Sequence, residues 1–321
     1  MIKVLASDGM EKSAVATLRE KGYEVTEQFY EPEELAQKVK EYDVLVVRSA
    51  TKVRQPIIDA AVEGGRLKLV IRGGVGVDNI NIPAATARGI VVCNAPEGNT
   101  IAAVEHTIGM MLSVTRHIPQ AHQSIQEGKW DRKSFTGIQL QGRTLGVIGV
   151  GRVGSRVAKR MQAFEMNVIG YDPYITEERA HQIGIELVDF DTLLAKSDYI
   201  TIHTPLTSAT KNLIGAKELR MMKPDAILVN TARDGIVRHS ALEKTLLAGQ
   251  IYGYAADVHE GEPPRHSPIY DLPNVLVTPH AGSATYESNL RMGMAVADNI
   301  IAFKDGVVPP HVVTPLSRIY G

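Results

Sequence analysis

Three glycines and one acid carry the first chemical signal in the sequence. Gly149, Gly151 and Gly154 are spaced G-x-G-x-x-G, directly after the apolar run Leu145 to Ile148. Such a turn between a buried strand and a helix lets a pyrophosphate reach the helix N-terminus, where free N–H groups and a partial positive charge favour an anion. Val153, Val157, Met161 and Phe164 recur at helical spacing and predict that helix. Asn167 to Tyr171 predicts a second strand, closed by Asp172, 23 residues beyond Gly149. An acid about 20 residues on binds the ribose hydroxyls of a dinucleotide. Its charge repels a 2′-phosphate, so the expected cofactor is NAD rather than NADP. A glycine turn alone is a weak signal; the strand, helix, strand and acid around it make it specific.

Four more apolar runs end in polar clusters. Asp198 to His203 leads into Thr204-Pro205, and Ala226 to Asn230 into Thr231-Ala232-Arg233. Gly253 to Asp257 leads into Val-His-Glu-Gly-Glu262, and Val275 to Val277 into Thr278-Pro-His280-Ala281-Gly282-Ser283. In an open parallel sheet the carboxyl edge is where ligands bind. A histidine, with an unperturbed pKa of about 6.5, suits proton exchange near neutrality, and an arginine fork suits a carboxylate. Taken singly, Arg233 also reads as a surface ion pair, Glu262 as a turn residue and His280 as a structural histidine.

The elements that must position these residues follow from length and patterning. A chain of 321 residues favours two domains. Its net charge of −1 argues against broad electrostatic binding to nucleic acid or acidic membrane. The single cysteine, Cys93, excludes an intrachain disulfide and a multi-cysteine metal site; in the run Ile90-Val-Val-Cys93 it reads as a buried strand thiol. No histidine pattern has metal-ligand spacing, so no metal is expected. The N-terminus reads as a strand rather than a signal peptide, and no apolar run reaches membrane-spanning length; the expectation is a cytoplasmic protein.

Strands are predicted over Ile2 to Ala6, Tyr23 to Thr26, Val44 to Val47, Leu67 to Ile71 and Ile90 to Cys93, with helices between them. The breakers Pro96 and Gly98 then suggest a hinge. Helices are predicted from Ile101 to Arg116, Pro119 to Glu127 and Ala284 to Phe303, and an irregular strap from Val307 to Gly321. This alternation predicts an α/β fold with parallel sheets covered on both faces.

Six stretches together resemble a known family. Arg72-Gly-Gly-Val-Gly-Val-Asp-Asn79, Asn94-Ala-Pro-Glu-Gly-Asn-Thr100 and the glycine signature are similar to the D-isomer-specific 2-hydroxyacid dehydrogenases, as are Asn230-Thr-Ala-Arg233, Asp257-Val-His-Glu-Gly-Glu-Pro263 and Thr278-Pro-His-Ala-Gly-Ser283. Arg48-Ser-Ala-Thr-Lys-Val53 and Lys129-Trp-Asp-Arg-Lys133 resemble the branch that oxidises a phosphorylated 2-hydroxy acid, D-3-phosphoglycerate. The resemblance implies two Rossmann-like or flavodoxin-like domains with the active site in the cleft between them: a substrate domain of 1–98 plus 287–321, and an NAD domain of 99–286.

It also implies roles. Arg233, Glu262 and His280 match the catalytic trio. Gly149, Gly151, Arg152, Val153 and Gly154 would hold the pyrophosphate, with Asp172 and Pro173 at the ribose and His203, Thr204 and Pro205 on the adenosine side. Thr231, Ala232, Arg233 and Asp257 would lie by the nicotinamide, and His280, Ala281, Gly282 and Ser283 would complete the wall. Arg48, Arg72, Arg132 and Lys133 would clamp a phosphate, with Asn99 and the Val75-Gly76 backbone near the carboxylate. The expected assembly is a homodimer or homotetramer without nucleic-acid or membrane partners. Related acids such as glyoxylate, hydroxypyruvate or a sulfonate are alternative substrates, and a nucleotide-sensing corepressor is the alternative from another class. The C-terminal regulatory domains of longer members are expected to be absent. Asp234 stands where the family usually has glycine, and His259 where it has an aromatic residue.

Overall fold

A computed structural model describes residues 1–315. The end of the strap expected from Val307 to Gly321 therefore lies outside the described residues. The chain divides into two compact units, Met1–Asn99 with the segment from Ala284 onward, and Thr100–Ser283. Each contains its own hydrophobic cores.

The first unit holds five parallel strands: β1 (Lys3–Ala6), β2 (Glu24–Glu27), β3 (Val44–Val47), β4 (Leu69–Arg72) and β5 (Val91–Cys93). Their order is β2-β1-β3-β4-β5, the flavodoxin-like arrangement. Val44 to Val47 are buried throughout, which explains the unbroken apolar run: helices cover both faces of a parallel sheet. The helix Tyr286–Lys304 packs on the helix Lys12–Glu20 and on β4, so the last long helix belongs to this unit. Cys93 is fully buried and burial pushes its thiol up to about 12, which leaves it inert at neutral pH.

The second unit holds β6 (Thr144–Ile148), β7 (Asn167–Tyr171), β8 (Glu186–Leu187), β9 (Tyr199–Ile202), β10 (Ile227–Asn230), β11 (Gly253–Ala256) and β12 (Val275–Val277). All pairings are parallel, in the order β12-β11-β10-β9-β6-β7-β8. The chain leaves β6 for β7 on one side and returns to β9 on the other, which creates a topological switch point at the end of β6. Its helices include Thr100–Thr115, which packs on β10, β11 and β12, and Gly154–Gln162, which follows the glycine turn.

One expectation is corrected here. Phe164 does not belong to the helix after the glycines: that helix ends at Gln162 and Phe164 is exposed. Val157 and Met161 fill the buried face, and Glu165 takes a left-handed backbone that ends the pattern. Among the described residues no helix is long and apolar enough to cross a membrane.

Candidate active site

Sheet register alone gathers the residues of interest in the second unit. Tyr171, Ile148, Ile202, Asn230, Ala256 and Val277 lie in one row across six strands. The next residue on each strand is Asp172, Gly149, His203, Thr231, Asp257 or Thr278. Every polar cluster read from the sequence therefore leaves the sheet at the same level of its carboxyl edge.

The glycines divide the work at the switch point. Gly149 has φ of +89°, and a Cβ there would meet the His203 carbonyl at 2.9 Å. A Cβ on Gly154 would overlap the Gly149 carbonyl oxygen, so this glycine allows the helix to start against the turn. Above Gly151 nothing lies within 4 Å of a Cβ position. The helix that follows has no side-chain hydrogen bond at its N-cap, Val153. Asp172 accepts from the Val150 N–H and the Tyr174 N–H, both at 2.9 Å, so one carboxylate braces both turns. Thr204 Oγ1 is buried without a hydrogen-bond partner among the described residues. An open space over a glycine, an uncapped helix start and an orphaned hydroxyl fit a dinucleotide's phosphates. His203 lies beside them, bonded to Thr201 Oγ1 at 2.9 Å; burial holds its imidazole down to about 3, so it is uncharged.

On the other side of the edge, Asn230 builds a tight turn. Its side chain accepts from the Ala232 N–H and donates to the Arg233 carbonyl. The Arg233 guanidinium folds back to the Ala232 carbonyl at 2.7 Å. Thr231 is bonded to Thr107 of the Thr100–Thr115 helix at 2.7 Å.

His280 and Glu262 form a pair, Nδ1 to Oε2, at 2.8 Å. A carboxylate only accepts, so Nδ1 carries the proton, and the lone pair of the neutral ring is on Nε2. Nε2 has no hydrogen-bond partner among the described residues. His280 has φ of +54°, a left-handed backbone rare outside glycine. Burial pushes the Glu262 carboxyl up, but the His280 hydrogen bond and charge and the His259 N–H outweigh it and hold it below its ordinary range.

Asp257, expected beside a nicotinamide, is tied to the loop that follows β12. It is buried, and its carboxylate accepts from Thr278 Oγ1 at 2.6 Å, the Ala281 N–H at 2.8 Å and the Gly282 N–H at 2.7 Å. It organises the loop that carries His280. His106 lies 3.3 Å from the same carboxylate and 3.0 Å from Thr278 Oγ1. Sequence reasoning missed that role for His106, since no spacing links residues 106, 257 and 278. Ser283 ends this loop at the boundary of the unit.

The residues expected at the substrate lie in both units. In the first, Arg48 lines a cavity of about 390 Å³ at the carboxyl ends of β1, β3 and β4, with its guanidinium 3.4 Å from Asn289 Oδ1. The Arg72 guanidinium folds over Gly74, and Asn94 takes the Val75 carbonyl at 2.7 Å; Gly76 and Asn99 belong to this unit too. In the second unit Arg132 and Lys133 are exposed loop residues. Among the described residues no acid or histidine cluster could hold a metal.

Residues 108–282 match the family described as D-isomer specific 2-hydroxyacid dehydrogenase, NAD binding domain, and the chain belongs to that family. Among its relatives is the D-3-phosphoglycerate dehydrogenase of Archaeoglobus fulgidus, 50% identical over 95% of this chain and 58% of the relative. That of Methanocaldococcus jannaschii is 46% identical over 98% of this chain and 59% of its own length. The chain thus spans somewhat more than half the length of these relatives. Among solved structures, the TT0316 protein from Thermus thermophilus has a TM-score of 0.90 and 33% identity, over 98% of this chain and all of that one. A D-lactate dehydrogenase from Aquifex aeolicus, solved with NAD and lactic acid, has a TM-score of 0.87 at 25% identity, over 98% and 99% of the two chains.

Proposed function

We propose that this chain oxidises D-3-phosphoglycerate to 3-phosphohydroxypyruvate, the step that opens serine biosynthesis, with NAD as the cofactor. The observation that carries the reading is the His280–Glu262 pair, which leaves Nε2 available as a base. His280 takes the hydroxyl proton and Glu262 steadies the resulting imidazolium. Arg233 grips the carboxylate and draws charge toward the forming carbonyl. When bound, NAD would supply the acceptor for the hydride that leaves C2. Gly149 to Gly154 and Thr204 hold its phosphates, and Asp172 its ribose hydroxyls. Thr231, Ala232 and the Ala281–Ser283 segment line the nicotinamide side. Arg48 and Arg72, with Arg132 and Lys133, take the substrate phosphate. The protein acts in the cytoplasm as a homodimer or homotetramer, a state supported by the exposed Ile118, Ile125 and Trp130.

The names and identity of the relatives support this substrate above other 2-hydroxy acids. The test is turnover of D-3-phosphoglycerate, D-glycerate, D-lactate and glyoxylate with NAD or NADP. The phosphorylated acid with NAD is expected to be favoured. Charge-assisted bonds contribute about 1.5–3 kcal/mol each, so Arg48→Ala and Arg72→Ala raise its KM roughly tenfold or more and leave NAD binding intact. Equal use of glycerate and its phosphorylated counterpart overturns the substrate, and no turnover of any acid favours a nucleotide-sensing protein instead.

A further inference from the structure

His259 and Asp234 both line one small cavity of about 10 Å³. His259 is buried, and both its ring nitrogens and its backbone N–H have partners. Its ring Nε2 lies 2.8 Å from the Thr278 carbonyl, and its Nδ1 lies 3.1 Å from the Tyr270 hydroxyl. A carbonyl only accepts, so Nε2 carries the proton, and in the neutral ring the Tyr270 hydroxyl donates to Nδ1. The His259 backbone N–H donates to Glu262 Oε1 at 3.4 Å.

These bonds close on themselves. His259 N–H reaches Glu262, Glu262 takes the His280 ring, the His280 N–H reaches the Thr278 carbonyl at 2.9 Å, and that carbonyl takes the His259 ring. We propose that His259 is a positioning residue which holds both halves of the Glu262–His280 pair through this circuit, with Tyr270 fixing its tautomer. The inference rests on the reading of Glu262 and His280 as the proton-transfer pair. A phenylalanine at position 259 would fill the same space but could not donate to the Thr278 carbonyl. The backbone at His280 is left-handed and needs support from its surroundings, and the carbonyl two residues before it is the one that the ring secures. Small errors in the placement of a base are costly to rate.

The test reads the His280 ring directly. In the 321-residue chain labelled with 15N-histidine, the His280 signals are assigned by their loss in His280→Asn. His259→Phe is expected to move them away from a fixed Nδ1–H tautomer and to lower kcat about tenfold, with Kd for NAD unchanged. His259→Gln, whose amide can both donate to Thr278 and accept from Tyr270, is expected to keep the native signals and a kcat within about threefold of native. Native His280 signals in His259→Phe overturn the proposal. So does His259→Gln performing as poorly as His259→Phe, because bulk rather than hydrogen bonding would then matter. Should His259→Phe not fold, Tyr270→Phe decides: altered His280 signals support the circuit and native signals overturn it. Failure of the native protein to oxidise D-3-phosphoglycerate would count against the proposed substrate, while the spectra would still decide the positioning role.

Discussion

At the scale of single residues, the glycine turn separates binding from folding. Gly151 has open space where a side chain would go, and its backbone is not left-handed. Gly151→Ala is therefore expected to keep the native melting temperature, or raise it slightly as the unfolded chain loses freedom, while NAD binding weakens because a methyl group stands where the phosphates approach. Gly154→Ala should instead lower the melting temperature. Its methyl would overlap the Gly149 carbonyl, and overpacking of that kind costs about 1–3 kcal/mol. Thermal melting and NAD titration on both variants check the pair; equal loss of stability in the two would refute the division. Much of this was legible in the sequence, because a glycine spacing is a local signal. The roles of His106 and His259 were not: each depends on residues more than ten positions away that only the fold brings together. Asp257 was placed at its strand end, but its bonds to the next loop were not foreseen, since a strand end does not reveal which backbone N–H groups fold back onto it.

At the scale of elements, the apolar runs located the strands well because both faces of each sheet are buried. What failed was short or lacked a repeat. β8 has two residues and an exposed glutamate, too little for any pattern. The helices Glu177–Gln182, Phe190–Lys196 and Ala216–Met221 have only six or seven residues each and little room to show a period. Strand order was also illegible, since it depends on which ends tie together. Asp198, just ahead of β9, shows one such tie: it accepts from the Thr144 N–H of β6 at 2.7 Å and from Lys223 at 3.0 Å, with Arg143 at 3.4 Å. Burial pushes its carboxyl up, but these donors outweigh that and hold it below its ordinary range. A carboxyl lowered in the folded state stabilises above its unfolded value of about 3.9, and that stability is lost as pH falls through the lower folded value. Asp198→Asn is thus expected to cost about 1–3 kcal/mol at pH 7 and to make the melting temperature less sensitive to acid below about pH 4. Equal melting temperatures for variant and native chain at pH 7 would remove Asp198 from the account.

At the scale of the whole molecule, the two units differ in how the chain builds them. The second, Thr100–Ser283, is one continuous segment with seven parallel strands and two hydrophobic clusters of its own. The first is assembled from two segments far apart in sequence, and one of its clusters joins Val4, Val44 and Val91 to Val296 and Ile300 of the late helix. A unit with its own core is able to fold alone, and continuity means that the second needs no chain from elsewhere. Its row of strand ends carries the glycine turn, Asp172, Arg233, Glu262 and His280, but not Arg48 or Arg72. A fragment of residues 100–283 is therefore expected to melt cooperatively and to bind NAD with a Kd within about tenfold of the full chain, a difference under about 1.4 kcal/mol. It should turn over no hydroxy acid. The matching fragment 1–99, which lacks the late helix, leaves part of its core uncovered and should not melt cooperatively. Calorimetry and NAD titration on the two fragments test this: a 100–283 fragment that neither melts cooperatively nor binds NAD would show that its fold depends on the first unit, and an active fragment would place the whole reaction within the second.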